Sequence, residues 1–309
     1  MAEKKATRQG FGAGLVALAE KYDNVVAVDA DLNGSVGTKD FAKKFPERHL
    51  DVGIAEQNML GIAAGLARAG MVPFASSFAV FCPGRAFEII RNAICYANLN
   101  VKIVGSHSGL TSASDGGTHQ AIEDIALMRS LPNMTILSPC DYNQAKAMVE
   151  AMYRIEGPVY MRTARINTPV ITPEDQPYEP GKVQILKEGS DVAIVATGIM
   201  NAYALEAAEG LEKEGIHACV VNVHTVKPLD TDGIKDAVHK CGGRLLVVED
   251  CNVMGGLGEA ILYSFAGEAL RFAHVAVEDC FGQSGDTDGV LAAYGLTAEN
   301  IAAKAKSLL

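Results

Sequence analysis

The chain has 309 residues, of which 49% are hydrophobic and 21% charged, and its formal net charge is −10. This length is sufficient for two domains with separate cores, and the composition is that of a soluble globular protein. The acidic balance argues against nucleic-acid binding, which requires a basic surface, but a small phosphorylated substrate needs only a few local cations.

The seven cysteines are odd in number and form no CxxC pair, which is typical of reduced thiols in a cytosolic protein. The first nine residues are charged and are not followed by an apolar segment, so they do not resemble a signal peptide. The most apolar window, residues 59–81, is interrupted by Arg68 and Pro73 and predicts a buried helix and strand. We therefore expect a cytoplasmic protein that does not enter membranes.

Short apolar strands alternate with amphipathic helices along the first half of the chain. Strands are predicted over residues 25–28, 49–52, 71–76, 101–105, 134–137 and 158–162. Helices are predicted over residues 11–20, 55–70, 85–96, 122–130 and 142–153. This alternation indicates an α/β domain with a mostly parallel sheet that is covered by helices on both faces.

A proline-rich segment follows, and the same alternation then resumes. Four prolines lie between residues 166 and 181, where they are incompatible with a helix interior or a central strand. We therefore predict two α/β domains, 1–168 and 189–309, joined by a linker over 169–188. In the second domain, the run Gly255–Gly258 at a strand–helix junction could hold an anion, although such a run is more often a tight turn.

Glu56 lies at the most informative position of the first domain. The sequence turns at Gly53 and changes to helical spacing from about residue 55, so Glu56 falls where a strand passes into the first turn of a helix. Strand ends of this kind often bind ligands in α/β proteins, but position alone favours the simpler interpretation that the carboxylate complements the helix dipole. Gly61 and Gly65 give the same helix a small-residue face, which favours close packing, such as across a subunit interface.

A second informative segment is the polar loop Ser106–Gln120, which follows a predicted buried strand. It contains two histidines, an aspartate and three glycines, so we expect it to bind a ligand and not to contribute to a core. Taken singly, its histidines would be read as ordinary hydrogen-bonding residues. The pair Phe78 and Phe81, three residues apart, would by itself be read as part of the core.

Three motifs in order, GIAEQNM at 53–59, SFAVF at 77–81 and DGGTHQ at 115–120, resemble the pyrimidine-binding half of transketolase. The resemblance covers nearly the whole chain. It implies thiamine diphosphate as cofactor and transfer of a two-carbon ketol unit between sugar phosphates.

The resemblance also assigns expected roles to residues of this chain. Glu56 would contact N1′ of the cofactor's aminopyrimidine, and His119 would be catalytic at the reacting part of the sugar. The aminopyrimidine would lie against Phe78 and Phe81, with Asp31 nearby. The substrate would be bound through a hydroxyl group at Asp115 and through its phosphate at Arg8, Ser35, His107 and Arg162. The family usually has proline where this chain has Gly117, which could alter the loop or the acceptor preference.

The motifs that bind the diphosphate and its metal in this family are absent from the sequence. It contains neither GDG nor a pair of adjacent asparagines. The chain therefore resembles the C-terminal subunit of a split transketolase, whose N-terminal subunit would provide the Mg²⁺ or Ca²⁺ site. We expect no metal ligands in this chain and an α₂β₂ heterotetramer.

Three alternatives remain open at this level. The chain could be the β subunit of a 2-oxoacid dehydrogenase E1, half of a deoxyxylulose phosphate synthase, or a non-catalytic subunit that retains the fold. The motif DGGTHQ and the set of basic residues favour sugar phosphates over the first two. The presence of Glu56, Phe78, Phe81, Asp115 and His119 together argues against a decayed site.

Overall fold

The computed structural model describes residues 3–176 and 178–309. The elements of the first half are, in chain order, β1 (Lys4–Lys5), α1 (Thr7–Ala19), β2 (Val25–Asp29), α2 (Asn33–Val36), α3 (Lys39–Lys44), β3 (His49–Asp51), α4 (Glu56–Arg68), β4 (Val72–Phe78), α5 (Phe87–Ile89), β5 (Lys102–Ser106), α6 (Asp124–Arg129), β6 (Thr135–Leu137), α7 (Tyr142–Arg154), β7 (Val159–Thr163) and β8 (Thr168–Pro169). Two π-helical segments, Val80–Arg85 and Ile90–Tyr96, flank α5.

The second half continues the alternation of strands and helices. Its elements are β9 (Gln184–Lys187), β10 (Val192–Ala196), α8 (Met200–Lys213), β11 (Ala218–Asn222), β12 (Thr225–Lys227), α9 (Thr231–Lys240), β13 (Arg244–Asn252), α10 (Leu257–Ser264), β14 (Arg271–Val277), α11 (Thr287–Ala293) and α12 (Ala298–Lys306). The strand β9 lies inside the segment that the prolines predict as a linker.

The first sheet has seven strands within the described residues, in the order β12-β6-β7-β5-β4-β2-β3. All neighbours are parallel except β12, which pairs antiparallel with β6. Strands β2, β4, β5 and β7 are buried along their whole length, as expected for a parallel sheet with helices on both faces. Their carboxyl ends lie at one edge, which brings together the segments that follow Asp29, Phe78, Ser106 and Thr163.

The second sheet has five strands in the order β14-β13-β10-β11-β9, and only β9 runs antiparallel to its neighbour. The α/β fold with two mostly parallel sheets, predicted from the alternating pattern, is confirmed. The pattern did not predict that β12, from the second half, would pair at the edge of the first sheet. That pairing ties the two halves together by backbone hydrogen bonds.

Close packing of helices in the first half depends on glycines, as the composition suggests. On α1, a Cβ placed on Gly14 would lie 2.7 Å from the carbonyl oxygen of Lys146 on α7, so only glycine permits this approach. Gly61 and Gly65 on α4 differ, because no described atom lies within 4 Å of a Cβ built on either of them. They face the surface of this chain, and their expected role at a subunit interface stays a prediction. None of the helices among the described residues is long and apolar enough to cross a membrane.

Candidate active site

Glu56 is the first residue of α4 and is almost completely buried, with 1% of its surface exposed. The chain reaches it from β3 through a turn at Gly53, whose φ of 73° lies in the left-handed region that glycine tolerates. Its Oε2 atom accepts a hydrogen bond from Nη1 of Arg85 at 2.7 Å. The arginine side chain is 48% exposed, so the only described ion-pair partner of this buried carboxyl group is at the surface.

Phe78 and Phe81 lie beside this carboxyl group, at the end of β4 and in the π-helical segment that follows. Their rings are nearly parallel, with centroids 5.8 Å apart and planes inclined by 8°. The guanidinium carbon of Arg85 lies over the Phe81 ring, 4.5 Å from its centroid. Arg85 thus stacks on Phe81 and donates to Glu56 at the same time. A flat hydrogen-bonding group fits between the carboxylate and the aromatic ring.

His107 follows β5 and packs against Phe78 of the aromatic pair. Its ring stacks on Phe78 with centroids 3.9 Å apart, and its Nδ1 lies 2.9 Å from Oγ of Ser106. The residue adopts a left-handed φ of 61°, a strained conformation for histidine that often marks functional sites. Burial, reinforced by the positive charges of Arg8 and Arg165, lowers the pKa of His107 to about 3. The imidazole is therefore neutral at physiological pH.

His119 and Asp115 belong to the same loop and stand nearer to the solvent. The His119 ring meets the edge of Phe81, with centroids 5.5 Å apart, and its Nδ1 lies 2.9 Å from Oγ1 of Thr118. Asp115 ends a short 3-10 turn and accepts from Nη1 of Arg165 at 2.7 Å. The structure therefore brings both histidines, the aromatic pair and Glu56 to one edge of the first sheet.

Arg8, Ser35 and Arg165 form the basic end of this site. Nη1 of Arg8 donates to the backbone oxygen of Ser35 at 2.7 Å, while its buried Nε has no hydrogen-bond partner. Burial first, and the charge of Arg165 second, lower the pKa of Arg8. A cavity of about 350 Å³ lies between Arg8 and Arg165 and is also lined by Thr111 and Ser114. Two arginines that face one cavity suit an anionic group.

The expectation that Arg162 belongs to this basic cluster disagrees with the structure. Arg162 lies inside β7 and is 3% exposed. Its guanidinium pairs with both carboxylate oxygens of Asp124, at 3.0 and 3.2 Å, and with Asp250 at 2.6 Å. These bonds engage Nε and both Nη atoms in the interior, and Arg162 does not line the cavity between Arg8 and Arg165. Arg165, three residues later and beyond the end of the strand, lines that cavity together with Arg8.

Asp31 also lies at the carboxyl edge of the first sheet, in the turn after β2. Its side chain is exposed, its φ is 61°, and its backbone N–H donates to Oδ1 of Asp51 at 2.9 Å. The N–H of Gly53 donates to the same oxygen. The expected cofactor role of Asp31 stays a prediction.

The glycine run Gly255–Gly258 is a turn and not an anion cradle. Its helix amides are already engaged by an internal carboxylate, because Leu257 and Gly258 donate to the two oxygens of Glu249 at 2.7 and 2.8 Å. His274 Nε2 lies 3.0 Å from the same carboxyl group. The run is therefore built around Glu249, in agreement with the simpler interpretation of its sequence.

Sequence reasoning missed two residues of this site, Arg85 and Arg165. Arg85 is carried by a π-helical segment that contains Pro83, and such segments occur often at functional sites. The sequence signal was a proline–glycine pair directly before a lone arginine. For Arg165, the sequence offered two arginines near the end of one predicted strand, and Arg165 is the one that lies beyond that end. Among the described residues, no group of three or more acidic, histidine or cysteine side chains could hold a metal ion.

Comparison with known proteins gives matches over both domains. The family model "Transketolase, pyrimidine binding domain" matches residues 3–170, and "Transketolase, C-terminal domain" matches residues 181–301. The chain is 43% identical to the 6-deoxy-6-sulfo-D-fructose transketolase subunit of Clostridium sp. (strain MSTE9), covering 93% of this chain and 89% of that protein. It is 34% identical to an apulose-4-phosphate transketolase subunit of Phocaeicola vulgatus, covering 96% and 95%.

A solved structure described as "Split gene transketolase, inactive beta4 tetramer" is also similar to this chain. The two share 46% sequence identity and superimpose with a TM-score of 0.90, covering 99% of both chains.

Proposed function

This chain belongs to the transketolase family, and we propose that it is the C-terminal subunit of a two-chain transketolase that transfers a two-carbon ketol unit between sugar phosphates. The observation that carries the proposal is the grouping of Glu56, the aromatic pair Phe78/Phe81 and an arginine-lined cavity at one edge of the first sheet. This grouping pairs a place for a flat, hydrogen-bonding ring with a place for an anion.

Thiamine diphosphate fits the place beside Glu56. The guanidinium of Arg85 already occupies it with the two contacts that an aminopyrimidine would make, stacking on Phe81 and a hydrogen bond to Glu56. When bound, the cofactor supplies the electron sink that carbon–carbon cleavage of a ketose requires. In this proposal Glu56 shares a proton with N1′ of the pyrimidine, and Phe78 and Phe81 hold the ring by apolar contact. Asp31 is proposed to lie near the bound cofactor, since it follows β2 at the same edge of the sheet.

Substrate recognition is proposed for the remaining residues. Arg8 and Arg165 hold the terminal phosphate, with Ser35 at the same end and the neutral His107 as a hydrogen-bonding group. His119 acts at the reacting part of the sugar, and Asp115 binds a hydroxyl group. The sulfonated and phosphorylated sugars in the names of two relatives fit this assignment, since both carry an anionic end.

A second polypeptide is part of the proposal, because this chain lacks the family's diphosphate and metal motifs. The N-terminal subunit would hold Mg²⁺ or Ca²⁺ through its GDG and asparagine motif, and the two chains would form an α₂β₂ heterotetramer. The open face of α4 at Gly61 and Gly65 supports a contact between subunits. The inactivity stated for the similar β₄ tetramer supports the need for a second kind of chain.

Calorimetric titration of thiamine diphosphate in the presence of Mg²⁺ tests this proposal. The isolated chain should show no binding at micromolar concentrations, which corresponds to about 8 kcal/mol of binding free energy. Mixing it with a GDG-containing subunit should give both cofactor binding and ketol transfer from xylulose 5-phosphate. Micromolar binding or turnover without the partner would exclude partner dependence. Use of pyruvate in place of the sugar phosphate would instead favour a synthase or dehydrogenase subunit.

A further inference from the structure

The C-terminal domain packs directly on the loop that carries His119 and Asp115. In the loop after β14, residues 279–285, the backbone of Gly282 approaches that of Gly117, so that a Cβ on Gly117 would lie 2.6 Å from the Gly282 carbonyl oxygen. A Cβ on Gly282 would in turn collide with the side-chain carbonyl of Gln120. Neither glycine has a positive φ, so close approach and not backbone conformation restricts both positions. At Gly117 the obstacle is backbone, whereas at Gly282 a larger residue would have to displace the end of the Gln120 side chain from the contact.

Hydrogen bonds fasten the same two loops together. Nε2 of Gln120 donates to the backbone oxygen of Gln283 at 3.0 Å, and the N–H of Gly285 donates to the oxygen of Ala113 at 3.2 Å. Within the substrate loop, Oγ of Ser112 donates to the backbone oxygen of His119 at 2.6 Å. Residues 113–120 are therefore held by the second domain on one side and by their own loop on the other.

The beginning of the substrate loop is supported by the same domain. Asp250, near the end of β13, lies so close to Gly109 that a Cβ there would collide with its carboxylate. Arg162 holds the Asp250 carboxylate through an ion pair and also pairs with Asp124. The hydrogen bonds from a buried arginine hold both carboxylates in one geometry. Removing the arginine would leave two buried negative charges without a partner. The loop thus meets the C-terminal domain at both of its ends.

We propose that the loop of residues 279–285, through Gly282, is a positioning element that holds His119 and Asp115 in place for the sugar. It acts through the substrate loop and does not itself touch the reacting atoms. Gly117 allows the approach, because a proline or alanine at that position would displace the Gly282 backbone. The proposal extends the proposed function by giving the C-terminal domain a part in substrate binding, and its effect on catalysis rests on that function.

Hydrogen exchange of the isolated full chain tests the positioning itself. Gly282→Ala, and Gly117→Ala from the other side of the contact, should each raise exchange of amides within residues 106–120 by about tenfold, as expected for local opening of a loop. Gly210→Ala is the matched control, because it lies on helix α8 with no atom within 4 Å of the added Cβ. Unchanged exchange in Gly282→Ala would overturn the proposal. So would exchange raised throughout both sheets, or failure of both variants to fold while Gly210→Ala folds, since these results assign the contact to the fold as a whole.

Kinetics of the assembled two-chain enzyme test the consequence for the sugar. Gly282→Ala should raise KM for the sugar phosphates roughly tenfold, because misplaced binding groups lose orientation, while the Kd for thiamine diphosphate stays within about twofold. An equal loss of cofactor affinity, or an unchanged KM, would overturn the role in substrate binding. If the wild-type assembly transfers no ketol unit, the proposed function fails, and the exchange experiment still decides whether the loop is positioned by Gly282.

Discussion

The candidate site and the interior of the C-terminal domain both contain a buried glutamate, but the two carboxylates differ in what binds them. Glu56 and Glu249 are both buried carboxylates beside the first turn of a helix. Glu249 is fully engaged by two helix amides and His274, whereas the only described side chain that bonds to Glu56 is the half-exposed Arg85. A ligand can take the place of a partner that moves into solvent, but it cannot replace amides fixed in a helix. Burial alone therefore does not distinguish a carboxylate that a ligand can reach from one that stabilises the fold.

The two arginines of the strand end repeat this contrast. Arg162 lies between two buried aspartates, and Arg165 pairs with the partly exposed Asp115 beside the cavity. The first is bound from all sides by protein, and the second keeps access to an anion. This difference predicts that the first arginine stabilises the fold and that the second is available to a substrate. Variants at matched positions test that prediction.

The largest effect is expected for Arg162→Ala. Removing this guanidinium leaves the carboxylates of Asp124 and Asp250 buried without a positive partner. The free energy of unfolding should therefore fall by about 3–5 kcal/mol. Urea denaturation of the isolated chain measures this loss. The matched variant Arg165→Ala should cost less than about 1 kcal/mol, since its ion pair is partly exposed, yet raise KM for phosphorylated sugars roughly 10- to 100-fold in the assembled enzyme. The opposite pattern would restore Arg162 to the phosphate site.

Glu56→Gln and Glu249→Gln sharpen the comparison of the two carboxylates. We expect Glu56→Gln to lower turnover of the assembled enzyme at least about 100-fold with little change in stability, because proton sharing with the cofactor is lost. Glu249→Gln should instead destabilise the chain by roughly 2–3 kcal/mol, since an amide cannot accept from both helix N–H groups and His274 at once. Turnover and thermal unfolding should be measured on both variants. A Glu56→Gln enzyme within a few-fold of wild-type turnover would remove Glu56 from the mechanism.

The buried imidazole of His107 predicts a pH dependence of stability. Its folded pKa of about 3 lies below the ordinary value of 6.5, so between these values the unfolded chain binds a proton that the folded chain does not. Stability contributed by neutral His107 is therefore present above pH 6.5 and is lost as pH falls towards 3. At pH 5 the loss relative to pH 7.5 should be about 2 kcal/mol larger in wild type than in His107→Gln. Equal losses in both proteins would show that His107 is accessible to protons when folded.

The smallest effect is expected for Arg85→Ala. If Arg85 competes with the pyrimidine for Glu56 and Phe81, its removal should lower the Kd of thiamine diphosphate in the assembled enzyme about three- to fivefold, or up to roughly 1 kcal/mol. Arg91→Ala serves as the control, because its guanidinium donates to Asn92 and not to Glu56. Weaker cofactor binding by Arg85→Ala would indicate that the arginine supports the ligand.

Local pattern was sufficient for much of this protein. The alternation of apolar strands and amphipathic helices predicted the two α/β sheets, because strands buried on both faces are continuous apolar runs and the helices that cover them have one apolar face. It also placed Glu56, Phe78 and His107 at strand ends, where parallel topology gathers them at one edge. The helix predicted over residues 85–96 was less regular, since the chain there forms two π-helical segments around a short α5.

The contacts between distant segments were decided only by tertiary structure. Whether Arg162 or Arg165 faces the cavity depends on Asp250, 88 residues beyond Arg162, because that carboxylate occupies the buried guanidinium. The same holds for Gly117, whose neighbour Gly282 comes from the other domain, and for β12, which crosses to the first sheet. Sequence periodicity predicts which face of an element is buried. It does not predict which distant segment packs on that face, and that segment decides whether a charged group is bound within the protein or free to bind a ligand.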